Sequence, residues 1–491
     1  MKKYKLFIDG EFVSSPDQEY FTSINPYSGE AWAEIPQGSV DQVQQSVRAA
    51  RRAFEGVWGR VSGFERSKLL NSLADLLLAD GDRMGRLETT DNGKVIRETR
   101  SQMDFAARQY RFFAGYADKL WGNTIPLDRP NTLDYTVRTP AGVCVLINAW
   151  NSPIGQLSNK LAPALAAGNC VIIKPSEHAS ATTLEFAKFV KKAGFPAGVI
   201  NVVTGDAEVG KALLQSGRID RVSFTGSPEV GRKIAANAGR ALVPVTMELG
   251  GKSPNIIFDD ADLKKACTGA LAGIFAATGQ TCIAGSRLLV QQSVYDHVVQ
   301  NLAERAKAIK MGDPLEKVTE MGPAANLPQF DRILNLIHVA KNEGAELVVG
   351  GERGVEAELE NGYFVKPTIF SNVKNSMQIA QTEVFGPVLS VIPFDDEAEA
   401  VSIANDTNFG LAAGIWTTNI NRAMRLSSEV NAGTVWVNTY RSIAVQAPFG
   451  GYKDSGYGRE RGEVALNEFT NTKNVMIDFS DDERDPFAIK L

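Results

Sequence analysis

Val222-Ser223-Phe224-Thr225-Gly226-Ser227-Pro228-Glu229-Val230-Gly231 reads as a buried strand, a glycine turn and the start of a helix. Ser227 suits the helix N-cap and Pro228 the first helical position. Such a turn leaves backbone N–H groups free at a helix N-terminus, where a pyrophosphate can bind. Gly226 and Gly231 are spaced Gly-x-x-x-x-Gly, not the Gly-x-Gly-x-x-Gly of the common dinucleotide fingerprint. Arg232 and Lys233 stand where a P-loop needs Lys-Ser/Thr. Taken alone, the stretch reads first as a helix-capping turn. Its neighbours decide the fold.

Apolar runs at 142–150, 169–174 and 199–203 read as buried strands, like 221–224, and helix-like stretches such as 180–193 separate them. Strands alternating with helices imply βαβ units and a mostly parallel sheet. A second α/β series follows Gly250-Gly251, with helices over 261–277 and 294–309. Its strands are expected at 287–290, 388–393, 412–416 and 434–438. Residues 40–120 read as mainly helical, with Leu69, Leu70, Leu73, Leu76 and Leu77 on one face. The expectation is two α/β domains in series with a cleft between them. Segments 121–140 and 471–491 fit neither series, and 450–458 is turn-rich.

Composition narrows the function. The 491 residues are 44% hydrophobic and 22% charged, ordinary for a globular enzyme. A net charge of −5, from 52 basic and 57 acidic residues, gives no reason to expect nucleic acid or an acidic membrane surface. Asp9, Gly10 and Glu11 break any signal-peptide apolar region behind the basic start, and no apolar stretch approaches the ~18 residues of a membrane helix. A cytoplasmic protein is expected. The 4 cysteines and 3 histidines form no metal-ligand pattern, and Cys144 and Cys170 read as buried small hydrophobes.

Chemistry-bearing residues stand at the ends of these runs. Cys282 follows the flexible Gly279-Gln280-Thr281, and Glu248 ends the apolar 243–247 run. A cysteine can attack a carbonyl and a glutamate near apolar surroundings can take a proton from water. Asn151, after Trp150, can donate to an oxyanion without changing charge, or simply form a turn. Lys174 and Glu177 close the 169–174 strand, where ribose hydroxyls could be held. A glutamate there favours a free 2′-hydroxyl, hence NAD over NADP.

In this order the motifs resemble those of the aldehyde dehydrogenase superfamily over nearly the whole chain. They are Asn151, the 174–177 turn, Phe224-Thr225-Gly226-Ser227, Glu248-Leu249-Gly250-Gly251-Lys252, Gly279-Gln280-Thr281-Cys282, Glu383-Val384-Phe385-Gly386-Pro387 and Pro448-Phe449-Gly450-Gly451. The resemblance implies a Rossmann-like NAD-binding domain at 1–120 and 141–252 and a catalytic domain at 253–450. It implies a β oligomerisation flap from 121–140 and 471–491, in a homodimer or homotetramer. Cys282 would form a thiohemiacetal and then a thioester, Asn151 would hold the oxyanion, and Glu248 would activate the hydrolytic water. Trp150, Lys174, Glu177, Gly226, Ser227, Gly231, Leu249, Glu383 and Phe385 would bind the cofactor.

The chain departs from the family at Ala149-Trp150-Asn151-Ser152-Pro153, where Ser152 replaces a common aromatic. Gln156 and Asn159 share a helix face that in relatives is often apolar, and Arg441 falls at the tunnel mouth. With Phe449 these predict a wide, partly polar tunnel for a functionalised aldehyde, semialdehyde or hydroxylactone. The competing expectation has Gln156 and Asn159 bonding backbone and Arg441 facing solvent, in an enzyme for plain aliphatic or aromatic aldehydes. A cofactor-independent thiol hydrolase or a non-catalytic binding protein are the other classes.

Overall fold

The computed structural model describes residues 1–16, 19–481 and 487. An eight-stranded sheet runs in the order Gly456–Tyr457, Val245–Glu248, Arg221–Thr225, Val143–Ile147, Cys170–Lys174, Ile200–Val202, Leu6–Ile8, Glu11–Val13. The strands from 245–248 through 200–202 pair in parallel. Those outside them are antiparallel. A parallel sheet needs helices on both faces, and its strands then read as unbroken apolar runs. Val143–Ile147 and Cys170–Lys174 are buried throughout for that reason. Leu70, Leu73 and Leu77 of the helix Gly63–Ala79 are fully buried in the same core, while Leu69 and Leu76 sit at its margin.

A seven-stranded sheet has the order Glu346–Val349, Thr368–Ser371, Val388–Phe394, Arg287–Gln291, Pro254–Ile257, Ala412–Trp416, Thr434–Val437. All but its first pair are parallel. Alternate residues point to opposite faces. Ile256 and Leu289 therefore join one apolar cluster, and Ile257, Leu288 and Val290 another. The architecture is α/β with two parallel-sheet units.

Three things differ from the expectation. The N-terminal 40 residues hold strands, including Tyr20–Ile24 paired antiparallel with Ala31–Pro36, where the sequence reading assigns no element. The helix expected over 261–277 ends at Ile274 and gives way to a tight turn in which Ala277 and Thr278 take left-handed backbone, φ 54 and 56. The turn-rich 450–458 stretch returns to the first sheet, Gly456 pairing with Glu248. A further sheet has the order Thr470–Asp478, Thr132–Pro140, Thr124–Ile125, joining the two segments that fit neither series. Residues 482–486 and 488–491 of the expected flap lie outside the described residues.

Candidate active site

In open parallel sheets ligands collect at the carboxyl ends of the strands. Here Val143–Ile147 leads to Trp150 and Asn151, Cys170–Lys174 to Glu177, Arg221–Thr225 to Gly226 and Ser227, and Val245–Glu248 to Leu249. A cavity of about 440 Å³ opens there. Trp150, Asn151, Gln156, Gly226, Ser227, Leu249, Cys282, Glu383 and Phe385 all line it. Residues from both sheets thus meet at one opening. Lys174 and Glu177 stand apart from this wall: they approach each other at 3.7 Å, with Lys174 buried and Glu177 part-exposed. Burial lowers the Lys174 pKa.

Ser227 caps the helix Pro228–Arg240, accepting from the Val230 N–H at 3.3 Å. A Cβ on Gly231 would meet Leu249 Cδ2 at 2.7 Å. Lacking one, the helix packs directly on the strand that ends at Glu248, and its N-terminus faces the cavity. Across the opening, the Glu383 carboxylate accepts from the Gly251 N–H at 3.0 Å. Burial raises the Glu383 pKa to about 7, against the pull of the Gly251 N–H, Lys252 and Arg332. Gln329, which the sequence reading missed, donates to the carbonyls of Val384 and Phe385 at 2.9 Å each. This steadies Phe385 in a left-handed conformation, φ 56, with its ring edge-on to Trp150 at 5.2 Å. Arg332, also missed, donates to the Glu383 carbonyl.

The Cys282 turn is tied down by its neighbours. The Gln280 amide accepts from the Ala325 N–H at 2.8 Å and donates to the Pro323 carbonyl, and Thr278 bonds the Gly322 carbonyl. Gly279 takes φ +68, and a Cβ there would run into the Gly386 carbonyl. Cys282 is part-exposed, but burial of its sulfur pushes the thiol up to about 12, with Glu383 and Glu248 adding to the effect. The other cysteines are buried elsewhere.

Asn151 Nδ2 donates to the Gln280 carbonyl at 2.9 Å, which holds the asparagine against the cysteine turn. Its Oδ1 accepts from Gln156 Nε2 at 2.6 Å, and Gln156 Oε1 accepts from the Ala149 N–H at 2.8 Å. The oxygen of Asn151 is thereby engaged on the helix side, so its amide nitrogen is turned toward the 280–282 segment. Gln156 lines the cavity and also bonds backbone at Ala149, joining features of both sequence expectations, whereas Asn159 bonds the side chains of Gln109 and Arg461. Ser152 accepts from Lys94 Nζ at 2.7 Å. Arg441 donates to the Ala272 carbonyl at 3.1 Å. Asn159 and Phe449 are buried deeper and share contact with Arg461.

Glu248 is 3% exposed and neither carboxylate oxygen has a hydrogen-bond partner. Burial raises its pKa well above the usual range and Glu460 adds to this, while Lys160, Arg459 and Arg461 oppose it. Gly450 leaves it room: a Cβ there would lie 2.8 Å from Glu248 Oε1. Lys160, fully buried on the helix Pro153–Ala166, pairs with Glu460 and bonds Ser223 Oγ at 3.1 Å. Neither partner was singled out in the sequence, because they lie 300 residues apart.

The profile of the aldehyde dehydrogenase family matches residues 12–475. A (Z)-2-((N-methylformamido)methylene)-5-hydroxybutyrolactone dehydrogenase of Acinetobacter baylyi is 46% identical over 495 residues, covering 100% of both chains. A betaine aldehyde dehydrogenase of Bacillus subtilis is 42% identical over 472 residues, covering 96% of each. The crystal structure of betaine aldehyde dehydrogenase from Staphylococcus aureus in complex with NAD+ superposes with a TM-score of 0.97 at 39% identity, covering 99% of this chain and 97% of that one. With a profile match across nearly all its length and relatives this similar over their full extent, the chain belongs to the aldehyde dehydrogenase family.

Proposed function

We propose that the protein oxidises an aldehyde to a carboxylic acid with NAD, through a thioester on Cys282. One observation carries the reading: Cys282 and Asn151 line the same cavity as Trp150, Ser227, Glu383 and Phe385. The cavity wall fits a dinucleotide. A helix N-terminus faces it, glycine at 231 lets that helix approach, and the Glu383 carboxylate, part of the wall, can accept from a ribose hydroxyl. Glu177 disfavours a 2′-phosphate, so NAD is preferred over NADP. When bound, the nicotinamide supplies the hydride acceptor.

The chain's own residues do the rest. Cys282 Sγ adds to the aldehyde carbon, giving a thiohemiacetal whose oxyanion is held by Asn151 Nδ2 and the Cys282 backbone N–H. Loss of hydride leaves the thioester. Glu248 then takes a proton from water, and the resulting hydroxide releases the carboxylate and restores the thiol. A cofactor-independent thiol hydrolase would leave Glu383 and Phe385 without a purpose at this cavity.

Gln156 is a positioning residue in this scheme, since its amide fixes which end of Asn151 faces the oxyanion. Gln156→Met keeps the volume and removes the bond, which is expected to lower kcat by about 3–10-fold. KM for NAD should be unchanged. A drop in NAD affinity with kcat intact would place Gln156 with the cofactor instead.

The substrate in this reading is a functionalised aldehyde. Gln156 gives the cavity wall polar character, and the Acinetobacter relative, similar along the whole chain, is named for a hydroxylactone. Initial rates of NADH formation with alkanals, aromatic aldehydes, ω-carboxy semialdehydes and hydroxylactones test both levels. Absence of NADH with every aldehyde would reject the reaction. Alkanals exceeding all polar aldehydes by about tenfold in kcat/KM would reject the substrate class.

We also propose that the protein is a homo-oligomer. The strand Thr470–Asp478 is the edge of its sheet, and Leu133, Val137, Met476 and Ile477 are exposed on this sheet. Apolar side chains exposed together on one sheet favour burial against a second copy. No helix among the described residues is long and apolar enough to cross a membrane.

A further inference from the structure

Asn159 and Phe449 converge on a residue that the sequence reading passed over. The Arg461 guanidinium lies over the Phe449 ring at 4.6 Å and over the Phe105 ring at 5.2 Å. Its Nε donates to Asn159 Oδ1 at 3.3 Å, and Gln109 Nε2 donates to that same oxygen at 3.3 Å. Two rings and one hydrogen bond fix the plane of the guanidinium. Its backbone is held as well: Arg461 takes a left-handed φ of 60, following Glu460, which is paired with Phe449 through two 2.7 Å backbone bonds. A non-glycine side chain in that conformation is aimed by its surroundings.

The frame leaves the cation unpaired. Among the described residues no carboxylate lies within ion-pair distance of Arg461, and the adjacent Glu460 is taken by Lys160. The bond through Nε leaves both terminal NH2 groups without a protein acceptor among the described residues. A Cβ on Gly450 would lie 2.8 Å from Glu248 Oε1, so the ring that Arg461 covers, Phe449, is one residue from the contact with Glu248, and the charge of Arg461 is felt at both Cys282 and Glu248. A half-buried guanidinium without a carboxylate partner is poised for one, and its planar fork matches a carboxylate bidentately. An aliphatic side chain would suffice to line a tunnel for plain aldehydes.

We propose that Arg461 anchors a substrate carboxylate, and that the substrate is a short oxo acid carrying an aldehyde at its other end. This rests on the aldehyde-oxidation reading and deepens it. Gln156, which holds Asn151, and Asn159, which holds Arg461, are one helical turn apart, about 5 Å. An oxo acid carries both groups these residues serve, an aldehyde for Cys282 and a carboxylate for Arg461. The class includes hydroxylactones. A 5-hydroxy-γ-lactone is the ring-closed isomer of a 4-oxo acid. Opening breaks the bond from ring oxygen to the hemiacetal carbon and releases the hydroxyl proton, leaving an aldehyde and a carboxylate with no change of oxidation state. Oxidation then consumes one NAD and one water and yields a dicarboxylate, one NADH and two protons. A quaternary ammonium aldehyde would meet the guanidinium as a like charge.

The test compares 4-oxobutanoate with butanal and with betaine aldehyde, in the wild type and in Arg461→Leu and Arg461→Lys. In the wild type, kcat/KM for 4-oxobutanoate is expected to exceed that for butanal by about 10²-fold. Arg461→Leu should bring this ratio near unity through a higher KM for the acid, and Arg461→Lys should restore part of it. Succinate should inhibit wild-type oxidation of butanal competitively, a measurement that stands even if the leucine variant fails to fold. Three results would overturn the anchor while leaving aldehyde oxidation in place. They are butanal or betaine aldehyde matching 4-oxobutanoate, no competition by succinate, or an unchanged ratio in Arg461→Leu. No NADH from any aldehyde would overturn both.

Discussion

Cys282→Ala is expected to lower aldehyde-dependent NADH formation by at least about 10⁴-fold while leaving NAD binding, measured by calorimetry, close to the wild-type value. The asymmetry follows from where the sulfur sits. The residues facing the dinucleotide are on other segments: Ser227 on a helix N-terminus, Glu383 and Phe385 on the segment held by Gln329, and Trp150 after a strand. None uses Sγ as a partner. The acyl bond has no other place to form, because Cys144, Cys170 and Cys267 are buried away from the cavity. The thiol, pushed up to about 12 by burial and the nearby carboxylates Glu383 and Glu248, is protonated at neutral pH in this state. Attack therefore requires that proton to leave, and the acylation rate should rise with pH. Activity retained in Cys282→Ala would reject the thioester route.

The parts of this site that could be read from the sequence are those fixed by local rules. A buried strand followed by Gly, Ser or Asn is a short-range pattern, so the turns bearing Asn151, Lys174, Gly226 and Glu248 stood out before any contact was known. The α/β class followed from the same runs, as Cys170–Lys174 illustrates: buried on both faces, it shows no polar alternation. What could not be read depends on distant partners. Thr470–Asp478 is exposed along most of its length and carries no strand-like apolar alternation; it becomes a strand by pairing with Thr132–Pro140, more than 300 residues away. Lys160 and Glu460 look like ordinary surface charges until the fold brings them together.

Arg461 illustrates the same limit. In Gly458-Arg459-Glu460-Arg461-Gly462 it has the look of a solvated turn, since glycines and charges crowd the stretch. Only tertiary packing reveals Phe105 and Phe449 on either side of it. Gln156 shows a subtler failure. Its helical face was predictable from spacing, and a backbone bond such as that from the Ala149 N–H was one expectation, but not that the other end of its amide would hold Asn151. Periodicity gives the direction of a side chain; the identity of its partner needs coordinates.

Glu248→Gln is expected to separate the two halves of the reaction. The amide keeps the shape of the carboxylate but cannot take a proton from water, so the first turnover should give a burst of about one NADH per site and the acyl-enzyme should then accumulate. Rapid-mixing absorbance reads the burst, and intact-protein mass reads the bound acyl group. Steady-state turnover should fall by about 10²–10⁴-fold. The pH dependence has a defined sign. Burial and Glu460 raise the Glu248 pKa, so the group holds its proton to higher pH than an exposed glutamate. Only the ionised form is a base. Where deacylation limits turnover, kcat should therefore rise with pH through that raised pKa and level off above it. In the glutamine variant the same limb should disappear from the deacylation rate. A limb that persists there would belong to another group, with Cys282 the first to examine. Loss of the burst itself would mean that Glu248 acts before hydride transfer, as the acceptor of the thiol proton.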